Sequence, residues 1–360
     1  MITTSSAMSH PAPLPAPLPG TPVLEVEDLS VEFRTPKGVV RAVNGISYEV
    51  HPGETVAILG ESGSGKSVSV QAVMGILDSP PGFVTGGRVL FEGRDLLGAS
   101  AEEQRAVRGP GMSMIFQDAL SSLNPVFTVG HQIAEMFRAH LGTSRKEAKE
   151  AAIELLDRVR IPAARERVNA YPHQFSGGMR QRVMIAMALA LNPRVLIADE
   201  PTTALDVTVQ AQIMELLKDL QRDTGMGLLL ITHDLGVVNE VADRVLVMYA
   251  GNVVETGTVD EVFSDPSHPY TEGLMASVPA VEDKGKRLQP IVGTPPDLSR
   301  IPSGCPFHPR CPRRVLEGAP PGRNCRDDVP LLLPVGSIGR ASACHYREEV
   351  LRARRTGTPA

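Results

Sequence analysis

Tryptophan is absent from the 360 residues, and aromatic residues of all kinds make up only 4% of them. So few aromatic faces argue against the base-stacking surface that single-strand nucleic-acid binders use, and a net charge of -5 supplies no global basic footprint. Long hydrophobic runs are missing as well. A helix needs roughly 20 consecutive apolar residues to cross a bilayer, whereas stretches such as Gly227 to Ile231 have only the length of a strand. The expectation is a chain that neither spans a membrane nor engages nucleic acid. Cysteine is absent until Cys305; Cys311, Cys325 and Cys344 follow, and this segregation points to one local task for the four. The opening segment, Met1 to Pro22, alternates proline with small and apolar residues, without the basic region and continuous apolar stretch of a secretory signal. It reads as a disordered or extended arm.

The length exceeds that of one ordinary domain, and an apolar content of 42% suffices for a sizeable core. Val23 to Phe33 and Val39 to Val50 alternate in polarity around Pro36-Lys37-Gly38, which predicts two paired strands and a turn. Thr55 to Leu59 is a third strand, leading through a glycine-rich loop into a helical pattern over Ser67 to Leu77. From about Asp118 to Tyr171 the pattern is mostly helical. Ser144 and Glu147 form a capping box for a helix running to about Ile161, with Ala148, Ala152, Leu155, Leu156 and Val159 on one face. A helix over Gly177 to Leu191, a strand at Val195 to Ala198, a helix over Val207 to Arg222 and a strand at Gly227 to Ile231 then alternate as in a mainly parallel sheet. Val245 to Val254, broken at Gly251-Asn252, reads as a hairpin. Beyond about His268 the texture turns to Pro, Arg and Gly, and that tail is expected to be held by something other than a large apolar core.

Gly60-Glu61-Ser62-Gly63-Ser64-Gly65-Lys66-Ser67 fits the Walker A pattern, placed between a strand and a helix. Triphosphate binding needs inward-turned backbone amides, a lysine for the β and γ phosphates and a hydroxyl for Mg²⁺; Lys66 and Ser67 fill the last two roles. The strand Val195 to Ala198 ends in Asp199 and Glu200, as a Walker B segment does. Asp199 is placed to hold Mg²⁺, and Glu200 to polarise the attacking water as general base.

With Phe175-Ser176-Gly177-Gly178-Met179 between these two motifs, Leu24 to Asp265 resembles the ABC ATPase family. The fold implied is α/β: a P-loop NTPase (ABC ATPase) with a helical insertion subdomain at about 118–180, an antiparallel β subdomain and an irregular C-terminal extension. The domain reading is a Pro-rich arm over 1–22, a nucleotide-binding domain over 23–267 and the extension over 268–360. A Ser-Gly-Gly helix start offers free amides to a γ-phosphate. In this family that phosphate is bound by the partner subunit, so Ser176, Gly177 and Gly178 are expected to serve the other half of a head-to-tail pair. The resemblance makes Gln117 the Q-loop glutamine, a sensor of Mg²⁺ and a link to membrane subunits. It places Ala204-Leu205-Asp206 in the D-loop and His233 at the switch position near the γ-phosphate. Phe33 is either an adenine-stacking aromatic or a core residue. Lys66, Glu200 and His233 form the expected catalytic set, with Ser67, Gln117 and Asp199 around Mg²⁺.

Asn124-Pro125 and the tail, through His268-Pro269-Tyr270-Thr271, Gly304-Cys305-Pro306-Phe307, Arg310-Cys311-Pro312 and Cys344-His345, resemble the oligopeptide and dipeptide importer ATPases, a group that also handles nickel chelates. The cysteine spacing lacks paired Cys-x-x-Cys zinc ligation; a cluster, zinc or unligated thiols stay open on spacing alone, and the resemblance favours [4Fe-4S]. It further implies a second, related ATPase as partner, two transmembrane permease subunits, an external solute-binding protein and a place on the cytoplasmic face of the membrane. A soluble ABC protein of DNA repair or translation would carry long coiled-coil insertions or tandem cassettes, which the chain lacks. A P-loop GTPase or small-molecule kinase would lack Ser176 and His233. A regulatory ATPase without hydrolysis is at odds with Lys66, Glu200 and His233.

Overall fold

Leu24 and Val26, then Leu29 and Val31 beyond a register shift at Asp28, turn inward from β1 (Leu24–Thr35), and this period of two on either side of the shift accompanies its pairing with β2 (Gly38–Val50). Leu24 lies opposite Val50 and Thr35 opposite Gly38, with Pro36 and Lys37 forming the turn. The structure is a computed structural model describing residues 20–118, 122–203, 205–277, 290–315 and 319–356. Met1 to Pro19 of the expected arm and Ala204 of the D-loop lie outside the described residues.

The remaining strands are β3 (Thr55–Leu59), β4 (Gly82–Phe91), β5 (Arg94–Asp95), β6 (Met112–Ile115), β7 (Val195–Asp199) and β8 (Gly227–Thr232), followed by β9 (Arg244–Tyr249), β10 (Asn252–Thr258), β11 (Leu333–Pro334) and β12 (Ala341–Ser342). The first helices are α1 (Lys66–Val73), α2 (Ala101–Val107), α3 (Val129–Leu141), α4 (Arg145–Arg158) and α5 (Ala164–Arg167). After them come α6 (Gly177–Leu189), α7 (Val207–Thr224), α8 (Leu235–Val241), α9 (Val259–Ser264), α10 (Pro269–Ala276) and α11 (Arg347–Thr356).

Among the described residues the strands form two sheets, ordered β2-β1-β4-β5 and β11-β12-β10-β9-β3-β8-β7-β6. The first is antiparallel throughout. In the second, β6, β7, β8, β3 and β9 run parallel, and β3, β7 and β8 are buried along their whole length, as a sheet covered on both faces requires. The β9–β10 turn falls at Ala250-Gly251, one residue before the sequence reading. Both residues have positive φ (47° and 78°), the twist that suits a two-residue hairpin.

The helical insertion is built as its sequence dictates. Gly142 ends α3 in the left-handed region, the Ser144 hydroxyl accepts from the Glu147 N–H at 3.3 Å, and the Glu147 carboxylate accepts from the Ser144 N–H at 3.0 Å. Ala152, Leu155, Leu156 and Val159 are buried in one core with α6 and α7, and Ala148 is buried as well. Residues on both sides of the expected boundary near His268 also share a core. Tyr270 and Phe307 pack with Val247, Tyr249 and Val262, the Tyr249 ring lying 4.6 Å from Tyr270 and 5.2 Å from Phe307. Strand β12 pairs with β10, so the extension also lengthens the main sheet. The sequence pattern hid this because the apolar anchors of the tail are single residues separated by turns.

Candidate functional site

Strand β3 delivers the chain into a glycine loop that leaves no space for side chains at two positions. A Cβ on Gly60 would lie 2.3 Å from the Met248 carbonyl oxygen, and one on Gly65, whose φ is +100°, would lie 2.2 Å from that of Ala42. Helix α1 starts at Lys66, whose Nζ is buried and donates to the carbonyl oxygens of Gly60 (2.7 Å) and Glu61 (3.0 Å). Burial pushes the Lys66 ammonium below its ordinary pKa, against the opposing pull of Glu200, Asp199 and Glu61. The Ser67 hydroxyl donates to Asp199 Oδ1 at 3.0 Å. Burial raises the Asp199 carboxyl, a shift that the Ser67 hydrogen bond partly offsets.

Glu200 follows β7 with φ at 46°, a left-handed conformation that costs a non-glycine residue free energy. Its N–H donates to the Ile231 carbonyl at 2.8 Å, tying the turn to β8. Its carboxylate gathers three partners: Gln117 Nε2 at 3.0 Å, Thr203 Oγ1 at 2.9 Å and His233 Nδ1 at 3.3 Å. Glu61, Ser62, Gly63, Gly65, Lys66, Ser67, Gln117, Glu200 and His233 line one cleft of about 510 Å³, within the size range of small-ligand sites. Thr203 was not singled out by the sequence reading, and a lone threonine after a Walker B strand gives no signal by which to find it.

Ser176, Gly177, Gly178, Asp206 and Phe33 do not line that cleft. Ser176 is exposed and caps α6, accepting from the Met179 N–H at 3.4 Å. Asp206 caps α7 by accepting from the Val209 N–H at 3.0 Å. A Cβ on Gly178 would lie 2.6 Å from Val209 Cγ1, so α6 and α7 meet closely at this point. Phe33 packs, half-buried, against the core shared by the two sheets.

Among the described residues no group of three or more His, Cys, Asp and Glu side chains is arranged to hold a metal ion. Cys305, Cys311, Cys325 and Cys344 nevertheless line one pocket, together with His268, Phe307, His308 and His345. Backbone amides point at three of the sulfurs: those of Phe307 and His308 at Cys305, that of Arg313 at Cys311, and the Tyr346 N–H at Cys344 Sγ (3.4 Å). Burial pushes the Cys305 thiol up to about 11 and those of Cys311 and Cys344 to about 12, so at neutral pH these thiols are protonated and weakly nucleophilic unless a metal displaces the proton.

Two residues that the sequence marked only through the resemblance of the tail bind the glycine loop from outside. Arg310 Nη1 and Nη2 donate to Glu61 Oε2 (2.7 Å) and Oε1 (3.1 Å), and the Glu61 N–H donates to the Tyr270 hydroxyl at 3.0 Å. A separation of 249 residues between Arg310 and Glu61 leaves no local pattern to read.

A family profile described as "ABC transporter" matches residues 43–203, and one described as "Oligopeptide/dipeptide transporter, C-terminal region" matches 254–317. The oligopeptide transport ATP-binding protein OppD of Bacillus subtilis (strain 168) is 57% identical over 80% of this chain and 80% of its own length. The chain belongs to the ABC transporter ATPase family. The dipeptide transport ATP-binding protein DppD of the same strain is 54% identical over 85% of this ABC ATPase and 92% of its own length, which puts the chain in the oligopeptide/dipeptide branch. Among solved structures, the dimeric ABC transporter cassette MJ0796 matches with a TM-score of 0.59 and 27% identity over 66% of this chain and 98% of its own. The same cassette bound to ADP and Pi matches equally well. These neighbours bear out the ABC ATPase fold expected from the sequence.

Proposed function

We propose that this ABC ATPase binds and hydrolyses ATP to power peptide uptake through separate membrane subunits. The observation that carries the reading is the convergence of Lys66, Ser67 and the Gln117–Glu200–His233 group on one cleft, with Asp199 hydrogen-bonded to Ser67 behind it. The loop amides over Glu61 to Lys66 cradle the phosphates, and Lys66 leaves its resting carbonyl partners for the β and γ phosphates. Ser67, Gln117 and Asp199 would hold Mg²⁺, which would supply neutralisation of phosphate charge. Glu200 takes the proton of the attacking water while His233 orients that water and contacts the γ-phosphate. Because Ser176, Gly177 and Gly178 lie outside this cleft, they complete the site of a second subunit in a head-to-tail pair, with Asp206 at the seam and Phe33 near the adenine. Support for pairing comes from the dimeric MJ0796 cassettes, and support for peptides from the names and high identity of OppD and DppD.

The partners are a second, related ATPase, two permease subunits and an external solute-binding protein, with the chain on the cytoplasmic face of the membrane. Among the described residues no helix is long and apolar enough to cross a membrane. Residues 23–267 form the nucleotide-binding domain and 268–360 the extension. Cys305, Cys311, Cys325 and Cys344 are proposed to hold a [4Fe-4S] cluster; the support is that all four line one pocket with backbone amides facing three of the sulfurs, while the side chains as they stand are not arranged as a metal-binding group. Such a group, when bound, cross-links a segment rich in turns.

Glu200→Gln tests the catalytic reading. ATP binding should persist, turnover should fall by on the order of 10²- to 10⁴-fold, and an ATP-bound dimer should accumulate on size exclusion; unchanged turnover refutes the base assignment. Stimulation of turnover by a peptide in the assembly with permease and binding protein tests the cargo, and stimulation only by a metal chelate would overturn it. For the cysteines, protein purified without oxygen should contain iron and sulfide and absorb broadly in the visible; zinc, or no metal, ends the cluster reading.

A further inference from the structure

Glu61 is gripped at every polar group it has. Its carboxylate takes the Arg310 fork, its N–H goes to the Tyr270 hydroxyl, and its carbonyl accepts from Lys66 Nζ at 3.0 Å and from the Ser64 N–H at 3.3 Å. Two of these restraints come from within the glycine loop and α1, and two from the C-terminal extension.

Arg310 is itself firmly placed. Only 6% of its side chain is exposed, its Nε donates to the Val292 carbonyl at 3.2 Å, its Nη1 reaches the Tyr249 hydroxyl at 3.4 Å, and its guanidinium lies about 6 Å from the Tyr249 and Phe307 rings. Its backbone belongs to the turns between Cys305 and Cys311, where the Arg310 N–H donates to Phe307 and the Cys311 N–H to His308, while the Cys305 N–H donates to the Cys325 carbonyl.

We infer that Arg310 is a positioning residue for the phosphate loop: through Glu61 it fixes the backbone that holds Lys66 at rest, so that the order of the cysteine-bearing segment sets the affinity for ATP. A two-pronged guanidinium fixes a carboxylate in direction as well as distance. The Tyr270 hydroxyl removes the remaining freedom by holding the amide of the same residue. With the loop pre-set, ATP binding costs less ordering of that segment. The inference rests on the reading of the Lys66 loop as the ATP site.

The test is ATP affinity and steady-state kinetics on the full-length chain carrying Arg310→Lys, Arg310→Met, Glu61→Gln, or Arg310→Met with Glu61→Gln, beside Lys66→Ala. Lysine keeps the charge and the stem but not the fork, and so guards against loss of the fold. Each single change should weaken ATP binding and raise KM by roughly tenfold, with kcat at saturating ATP held within about twofold for the two Arg310 variants, and the double variant should be no worse than the more affected single, as partners in one contact behave. ATP affinities within about twofold of wild type for Arg310→Lys and Glu61→Gln, or additive losses in the double variant, overturn the proposal even if thermal stability falls. If Lys66→Ala retains wild-type ATP affinity, the underlying site assignment fails instead.

Discussion

Replacing Arg340 with methionine should destabilise the whole chain, because the extension is anchored by a buried charge pair. Glu255 in β10 is fully buried and Arg340, beside β12, is 3% exposed. Glu255 Oε1 accepts from the Ser267 N–H (2.8 Å), the Ser267 hydroxyl (2.7 Å) and Arg340 Nη2 (3.3 Å), and Oε2 accepts from the His268 N–H (3.0 Å). The same guanidinium nitrogen donates to the Asp265 carbonyl. Methionine fills much of the arginine stem's volume but leaves a buried carboxylate facing only neutral donors. Breaking a buried pair in this way costs about 3–5 kcal/mol, which for a chain of this size lowers Tm by on the order of 10 °C. Differential scanning calorimetry of the full-length variant measures the loss. Adding Glu255→Gln to Arg340→Met should recover part of it, since the uncompensated charge is then removed. A loss below about 1 kcal/mol for Arg340→Met would refute the argument that this pair fastens the extension to the cassette.

Gly65→Ala should abolish detectable ATP binding in a titration while circular dichroism stays native, because the added methyl meets the Ala42 carbonyl at 2.2 Å in a backbone with φ at +100°; wild-type affinity would refute the close packing of the loop. Asp206→Ala removes the cap of α7 and should cost about 1 kcal/mol in chemical denaturation, with no loss expected for Asp206→Asn. His268 is buried and its imidazole is pushed down to about 3 by desolvation. Its folded pKa therefore lies below the unfolded value, so the neutral ring contributes no penalty above about 6.5, and stability is lost as pH falls from there towards about 3. Urea midpoints across that window should fall more steeply for wild type than for His268→Gln; parallel curves would refute the sign.

The cassette was legible where chemistry demands adjacent residues. The loop from Gly60 to Ser67, the acidic end of β7 and the capped start of α6 are each set by a local run, and the order of the runs identifies the family. The capping box at Ser144 and Glu147 and the glycine stop at Gly225 placed α4 and the end of α7 within a few residues. Strand β4 was invisible because Gly82, Gly86 and Gly87 interrupt its apolar alternation. The last of these has φ at +95°, and a Cβ there would meet the Glu27 and Asp28 backbone, so close approach to β1 excludes the residues that would mark a strand. Helix α10 was masked by Pro269, which stands at its first turn and suits that position. The links between Glu61 and the extension, and between Glu255 and Arg340, could not be read from periodicity, because nothing in a polar side chain announces a partner far along the chain.

The eight-stranded sheet ends in short strands on both sides: β6 has four residues and β11 two, the second of them Pro334. Such edges offer little template for docking by another chain, and proline removes one donor. A protein shortened to end before Leu333 would lose that guard. The seven residues of β10, buried over much of their length, would then become a terminal strand with a free row of amides and carbonyls. Shortened versions of this subunit should consequently self-associate through their sheets at concentrations where the intact chain stays dispersed.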